Sequence, residues 1–177
     1  MTSFFEKIVD FLNSQNIPYM LSGSVAMSVF MVPRATRDFD FVVYMNQSKV
    51  AAFVEEFKTG YYCDIDSIKD AIKRNSMFNI MDYGSHYKAD FILMKEDEYS
   101  IEAFNRREEM QYFGKNFFLV SVEDLLINKI LWIQDIQSAI QKDDINKLSK
   151  LQNLDWSYIN KWMTKLKLNT FNLLNNE

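Results

Sequence analysis

Two aspartates, Asp38 and Asp40, stand inside the apolar run that continues through Phe39, Phe41, Val42 and Val43. Residues two apart in a β-strand point to the same face, so these carboxylates project side by side. Neighbouring anions within apolar surroundings repel one another and resist desolvation. A divalent cation relieves both penalties, and an all-oxygen donor set suits magnesium or manganese. A solvated strand end would also accept such a pair, and a bare D-x-D does not separate the two readings. The surrounding stretch adds a second feature. Gly23 and Ser24 interrupt the apolar run Tyr19 to Leu21 and lead into another apolar segment, Val25 to Val32. Backbone amides at the start of a helix form an anion site, and glycine lets a phosphate approach the main chain closely.

The elements that must position these groups follow from pattern. Tyr19 to Leu21 reads as a buried strand, Val25 to Val32 as a short helix stopped by Pro33, Arg34 to Arg37 as a turn, and Asp38 onward as a second strand. Ahead of them, Phe4, Phe5, Ile8, Phe11 and Leu12 form a helical stripe over residues 3 to 16. Behind them, Asn46 to Phe57 reads as a helix, Tyr61 to Ile65 as a strand and Ser67 to Arg74 as a short helix. Met77 to Asp82 and Tyr87 to Met94 read as a hairpin across Tyr83-Gly84-Ser85-His86. Arg107 to Phe113 and Asn116 to Val120 read as a second hairpin turning at Gly114-Lys115. From Ser121 the pattern is helical to the end, opening with a capping arrangement Ser121-x-x-Asp124.

The Gly-Ser turn followed by D-x-D on a strand resembles the nucleotidyltransferase superfamily with the polymerase-beta-like core. Gly23-Ser24-x-Ala26 followed by Arg34-x-Thr36-x-Asp38-x-Asp40 is similar to the minimal bacterial nucleotidyltransferases of the AbiEii and MNT toxin-antitoxin type. The resemblance implies an α+β fold, a mixed β-sheet flanked by helices. It divides the chain into a nucleotidyltransferase core, residues 1–120, and a C-terminal helical segment, residues 121–177, packed on that core.

The same resemblance implies residue roles. Gly23 and Ser24 hold the tail of a nucleoside triphosphate, with help from Arg37. Asp38 and Asp40 bind Mg2+ or Mn2+. Asp90, on the second strand of the first hairpin, is the third metal ligand and the base for the attacking hydroxyl. An acid set among Ala89, Phe91, Ile92 and Leu93 needs a partner in any case. Leu126-Ile127-Asn128-Lys129 matches a motif whose lysine reaches the triphosphate. Lys129 also lies on an apolar stripe that includes Leu125, Ile133, Ile136 and Ile140, where an ammonium must either meet an anion or snorkel to water. Asp144 matches the second half of an acid-rich helix start. It is a candidate support for that lysine or for the acceptor, although an acid in a first helical turn is also stabilised by the helix dipole alone.

Composition bounds the function classes. The chain has 177 residues, 48% of them hydrophobic, with four glycines and two prolines, enough for a real core and few linkers. One cysteine, Cys63, excludes an intramolecular disulfide, and one histidine, His86, excludes a Cys-His zinc site. The formal net charge of -4 does not favour non-specific nucleic-acid binding. No apolar run is long enough to span a bilayer and the N-terminal stretch lacks a cleavage pattern, so a cytoplasmic protein is expected. The expected activity is a magnesium-dependent transfer of a nucleoside monophosphate to an acceptor hydroxyl. The acceptor is a tRNA end in a toxin-antitoxin setting, with an antitoxin protein as partner, or else a protein or small molecule. A catalytically silent module that binds a nucleotide or a partner is the alternative of a different class.

Overall fold

A computed structural model describes residues 3–31, 35–112 and 114–174, with no account of the Tyr112 side chain. The expected Pro33 stop and the Arg34 end of the following turn lie outside the described residues. The chain divides into two compact units, Met1–Val120 and Ser121–Glu177. Among the described residues no helix is long and apolar enough to cross a membrane.

The first unit runs α1 (Ser3–Ser14), β1 (Tyr19–Ser22), α2 (Gly23–Phe30), β2 (Asp38–Val43), a 3-10 turn (Gln47–Lys49), α3 (Val50–Phe57) and β3 (Tyr61–Cys63). It continues with α4 (Ile65–Arg74), β4 (Met77–Asp82), β5 (Lys88–Leu93), α5 (Glu98–Asn105), β6 (Glu108–Tyr112) and β7 (Lys115–Leu119). Seven strands form one mixed sheet in the order β3-β4-β5-β2-β1-β7-β6. β1 runs antiparallel to β2, whereas β2–β5 and β1–β7 are parallel. The α+β class and the mixed sheet flanked by helices are thus those expected, and the second hairpin extends the sheet through β7.

Alternation along β2 separates two faces. Phe39, Phe41 and Val43 are buried, while Asp38 is exposed and Asp40 and Val42 are half-buried. The apolar face is an aromatic layer. Phe41 stacks on its register partner Phe91 at 5.6 Å and 14°, and Phe91 stacks on Phe78 of β4 at 5.0 Å and 8°. Phe5 of α1 covers Phe41, and Phe53 of α3 meets Phe91 edge-on at 5.1 Å. Such cross-strand ring pairs fix register as well as burying area, because a one-residue slip would turn every ring to the other face. The register that stacks Phe41 on Phe91 is the one that sets Asp40 beside Asp90.

Two expectations need correction. α5 has no counterpart in the sequence pattern reading. It begins where Asp97 caps it by accepting the Ser100 N–H at 2.9 Å, and it buries Tyr99, Ala103 and Phe104. The single helical stripe expected after Ser121 is also broken. The second unit has α6 (Val122–Ile133), α7 (Ala139–Leu148) and α8 (Trp156–Lys165). Ser138 starts α7 afresh, its hydroxyl accepting the Gln141 N–H at 3.1 Å. Ile136 and Ile140 therefore leave the stripe and are 73% and 60% exposed. The expected cap at the start of α6 is present, since the Ser121 hydroxyl accepts the Asp124 N–H at 3.2 Å. The Asp124 carboxylate is buried and takes hydrogen bonds from the Ser121 hydroxyl at 2.6 Å and the Tyr158 hydroxyl at 2.8 Å.

Candidate active site

The sheet brings together three acids from sequence positions far apart. Asp38 and Asp40 share a face of β2, and in the parallel β2–β5 register Asp38 pairs with Lys88 and Asp40 with Asp90. In-register neighbours point the same way, so Lys88 and Asp90 lie on the face of Asp38 and Asp40. Asn79 of β4 lies next in line, opposite Asp90. On the far side of β2, Ser22 of β1 is the partner of Asp40. Thr36 sets the entry to β2, its hydroxyl accepting the Asp38 N–H at 3.2 Å.

Asp90 is the most buried of the three acids, with 7% exposure. Its Oδ2 accepts a bond from the Lys88 ammonium at 2.9 Å, and among the described residues no donor reaches its buried Oδ1. A buried carboxylate oxygen without a donor is costly, and such an oxygen is a ready cation ligand. The same Lys88 Nζ lies 3.8 Å from Asp38 Oδ1. The hydrogen bond to Asp90 raises the Lys88 pKa above the ordinary lysine value, burial opposes that rise, and the charges of Asp90, Asp38 and Asp40 add to it.

Gly23 adjoins this group. It opens α2 with φ of +63°, and a side-chain carbon built on it would lie 1.8 Å from Asp40 Oδ2 and 2.5 Å from Asp40 Cγ. Both the left-handed backbone and the contact with Asp40 require glycine here. The start of α2 and the carboxylate of Asp40 are thus in direct apposition. Ser24 follows in the first turn of α2, its carbonyl accepting the Ser28 hydroxyl at 3.0 Å. Arg37 is exposed, and its carbonyl accepts the Lys88 N–H at 2.9 Å, the first link of the β2–β5 pairing.

In the second unit, Lys129 of α6 and Asp144 of α7 meet. The Lys129 ammonium donates to Asp144 Oδ2 at 2.8 Å, with side-chain exposures of 11% and 3%. Of the alternatives for a lysine on an apolar stripe, the structure selects an anion partner over snorkelling. The residues expected to matter therefore form two constellations, Gly23, Ser24, Asp38, Asp40 and Asp90 in the first unit and Lys129 with Asp144 in the second.

The acids have a neighbour that the sequence reading did not single out. Among the described residues no three or more His, Cys, Asp or Glu side chains converge closely enough to hold a metal ion. The acids are arranged instead around an ammonium, that of Lys88. Pattern reading missed Lys88 because its place between Asp90 and Asp38 is defined by pairing with a strand some fifty residues earlier. The one local signal was Lys88-x-Asp90, two ionisable residues sharing a face of a buried strand.

No family model matches the sequence, and no curated protein is similar to it by sequence. Solved structures do resemble it in fold. Superposition on the antibiotic-resistance factor ANT(2'')-Ia in complex with adenylyl-2''-tobramycin gives a TM-score of 0.62 at 11% identity, covering 93% of this chain and 95% of that one. The lincosamide antibiotic adenylyltransferase LnuA, bound to lincomycin, gives 0.56 at 15% identity over 85% of this chain and 98% of that one. An antigenic nucleotidyltransferase-like protein from Paracoccidioides brasiliensis gives 0.53 at 16% identity, covering 89% and 84% of the two chains. The chain has the nucleotidyltransferase fold. At these identities the likeness speaks for the fold, and the chemistry must be argued from the residues.

Proposed function

We propose that this protein is a divalent-metal-dependent nucleotidyltransferase that moves a nucleoside monophosphate from a nucleoside triphosphate to an acceptor hydroxyl. The observation that carries the proposal is the alignment of Asp38, Asp40 and Asp90 on one face of β2 and β5, with the start of α2 against Asp40. The donors are all oxygen and include a buried Asp90 Oδ1 without a donor, the chemistry that Mg2+ or Mn2+ takes; the three acids, now set around the Lys88 ammonium, would have to close in to hold the ion. Asp38, Asp40 and Asp90 would hold the ion. When bound, it supplies stabilisation of negative charge on the attacking and leaving oxygens.

The protein's own groups do the rest. Gly23 and Ser24 offer main-chain amides to the triphosphate tail, and glycine allows the close approach. Arg37 is the cation of this unit assigned to the phosphates. Asp90 takes the proton of the acceptor hydroxyl. The hydroxyl oxygen bonds to the α-phosphorus, the bond from that phosphorus to the bridging oxygen breaks, and pyrophosphate leaves with the electron pair.

For the acceptor we favour a small hydroxylated molecule of the antibiotic kind. Support comes from the antibiotic adenylyltransferases that superpose over nearly the whole chain, and from the net charge of -4, which disfavours a long polyanionic acceptor. A tRNA end, with a cognate antitoxin as partner, is the second reading, supported by the motif from Gly23 to Asp40. The experiment is to incubate the protein with each α-labelled triphosphate, Mg2+ or Mn2+, and in parallel an aminoglycoside and lincosamide panel, total RNA and cellular protein. Label on the small molecules is the expected result. Label on RNA supports the tRNA reading, and no label in any arm supports the silent module and overturns the enzyme.

A further inference from the structure

Lys88 has no role in the transfer just described, yet its ammonium stands among the acids. Its ammonium is 2.9 Å from Asp90 Oδ2 and 3.8 Å from Asp38 Oδ1, and its strand register sets it directly opposite Asp38. Three carboxylates on one face, one of them buried, repel one another unless a cation stands among them. The only strand position on this face of β5 that can supply one from within is Lys88, two residues before Asp90.

We propose that Lys88 is the built-in counter-ion of the acid site, holding the carboxylates together until a divalent ion displaces its ammonium from Asp90. The inference rests on the metal-binding reading above. It gives Lys88 a positioning role, which is to keep Asp90 and Asp38 gathered on their strands while lowering the affinity of the site for bare metal. A divalent ion held by both Asp38 and Asp90 would take the place between them where the ammonium stands, 2.9 Å from Asp90 Oδ2 and 3.8 Å from Asp38 Oδ1, so the two exclude one another. The half-exposed stem of Lys88 lets the head group swing aside without moving β5.

The test is Mn2+ binding to the full chain, read by electron paramagnetic resonance of the free ion, for the wild type, Lys88→Met, Lys88→Gln and Asp90→Asn. Removing the ammonium should tighten Mn2+ binding by about tenfold or more, because even under bulk-water screening a unit charge and a divalent ion some 5 Å apart repel by over one decade in affinity. Thermal unfolding gives an independent readout. In chelator, Lys88→Met should melt below the wild type, and saturating Mn2+ should raise its melting temperature more than it raises the wild type's. Lys88→Gln keeps a polar head group and guards against a packing defect in the methionine variant. Equal or weaker Mn2+ binding by both Lys88 variants, with wild-type binding lost in Asp90→Asn, overturns the counter-ion role and leaves the metal site standing. Absence of Mn2+ binding by every form, with and without a triphosphate, overturns the metal site itself.

Discussion

Replacing Gly23 by alanine places two demands on the start of α2. The backbone must keep φ near +63°, which costs an L-residue about 1–2 kcal/mol. The new methyl carbon must also find room where Asp40 Oδ2 lies 1.8 Å away, with Asp40 Cγ at 2.5 Å and Cβ at 2.9 Å. No real pair of atoms survives at those separations, so the Asp40 side chain must leave its rotamer, at about 0.5–1.5 kcal/mol. Gly23→Ala should therefore lose about 1.5–3.5 kcal/mol in urea unfolding. Because the displaced atom is a proposed metal ligand, Mn2+ affinity should fall with it. Gly60 supplies the control. It also has positive φ, +87°, but nothing lies within 4 Å of a side-chain carbon built there. Gly60→Ala should cost only the backbone strain, about 1–2 kcal/mol, and leave Mn2+ binding unchanged. Urea unfolding followed by circular dichroism, paired with a Mn2+ titration, measures both. Gly23→Ala with wild-type stability and wild-type Mn2+ affinity would refute the apposition of α2 and Asp40.

The other predictions are shorter. Lys129→Met removes the cation from Asp144, whose side chain is 3% exposed, and should destabilise the protein by about 3–5 kcal/mol. Lys129→Met with Asp144→Leu should recover most of that loss in urea unfolding, and a single variant as stable as the wild type would contradict the buried pair. Burial, with a smaller push from the charge of Asp64, holds the Cys63 thiol pKa up at about 11. The folded protein then keeps the thiol proton where the unfolded chain has lost it. The thiol's contribution to stability should be intact below pH 9.0, the ordinary value, and decline as pH rises toward about 11. Alkylation of Cys63 in the folded protein should go on rising with pH past 9.0 and level off only toward about 11, whereas in the unfolded chain it should level off near 9.0.

The core strands were legible because their signals are local. Tyr19 to Leu21 and Phe39 to Val43 are apolar runs too short for helices, and turn residues bound both hairpins. D-x-D marked a single face of β2 carrying both acids, since period two is a property of any strand. Asp90 was legible as an acid among apolar neighbours. What pattern could not supply was register. The pairing of Asp38 with Lys88 and Asp40 with Asp90 depends on which strands adjoin, and with it the ammonium that gathers the acids. The break between α6 and α7 falls in Gln134 to Ser138, which contains neither Gly nor Pro, so the only local mark was the Ser138 cap. α5 carries a mixed sequence, Glu98-Tyr-Ser-Ile-Glu-Ala-Phe-Asn105, too short to show a helical period convincingly.

The central claim is that Asp38, Asp40 and Asp90 act together on a nucleoside triphosphate. Its most direct measurement is transfer of α-label, with release of pyrophosphate, by the wild type and by Asp38→Asn, Asp40→Asn and Asp90→Asn, each shown by circular dichroism to be folded. The account predicts Mg2+- or Mn2+-dependent transfer by the wild type and a loss of at least about a hundredfold in every variant, the scale expected when a metal ligand or a general base is removed. Wild-type transfer that persists in folded Asp40→Asn or Asp90→Asn would contradict it.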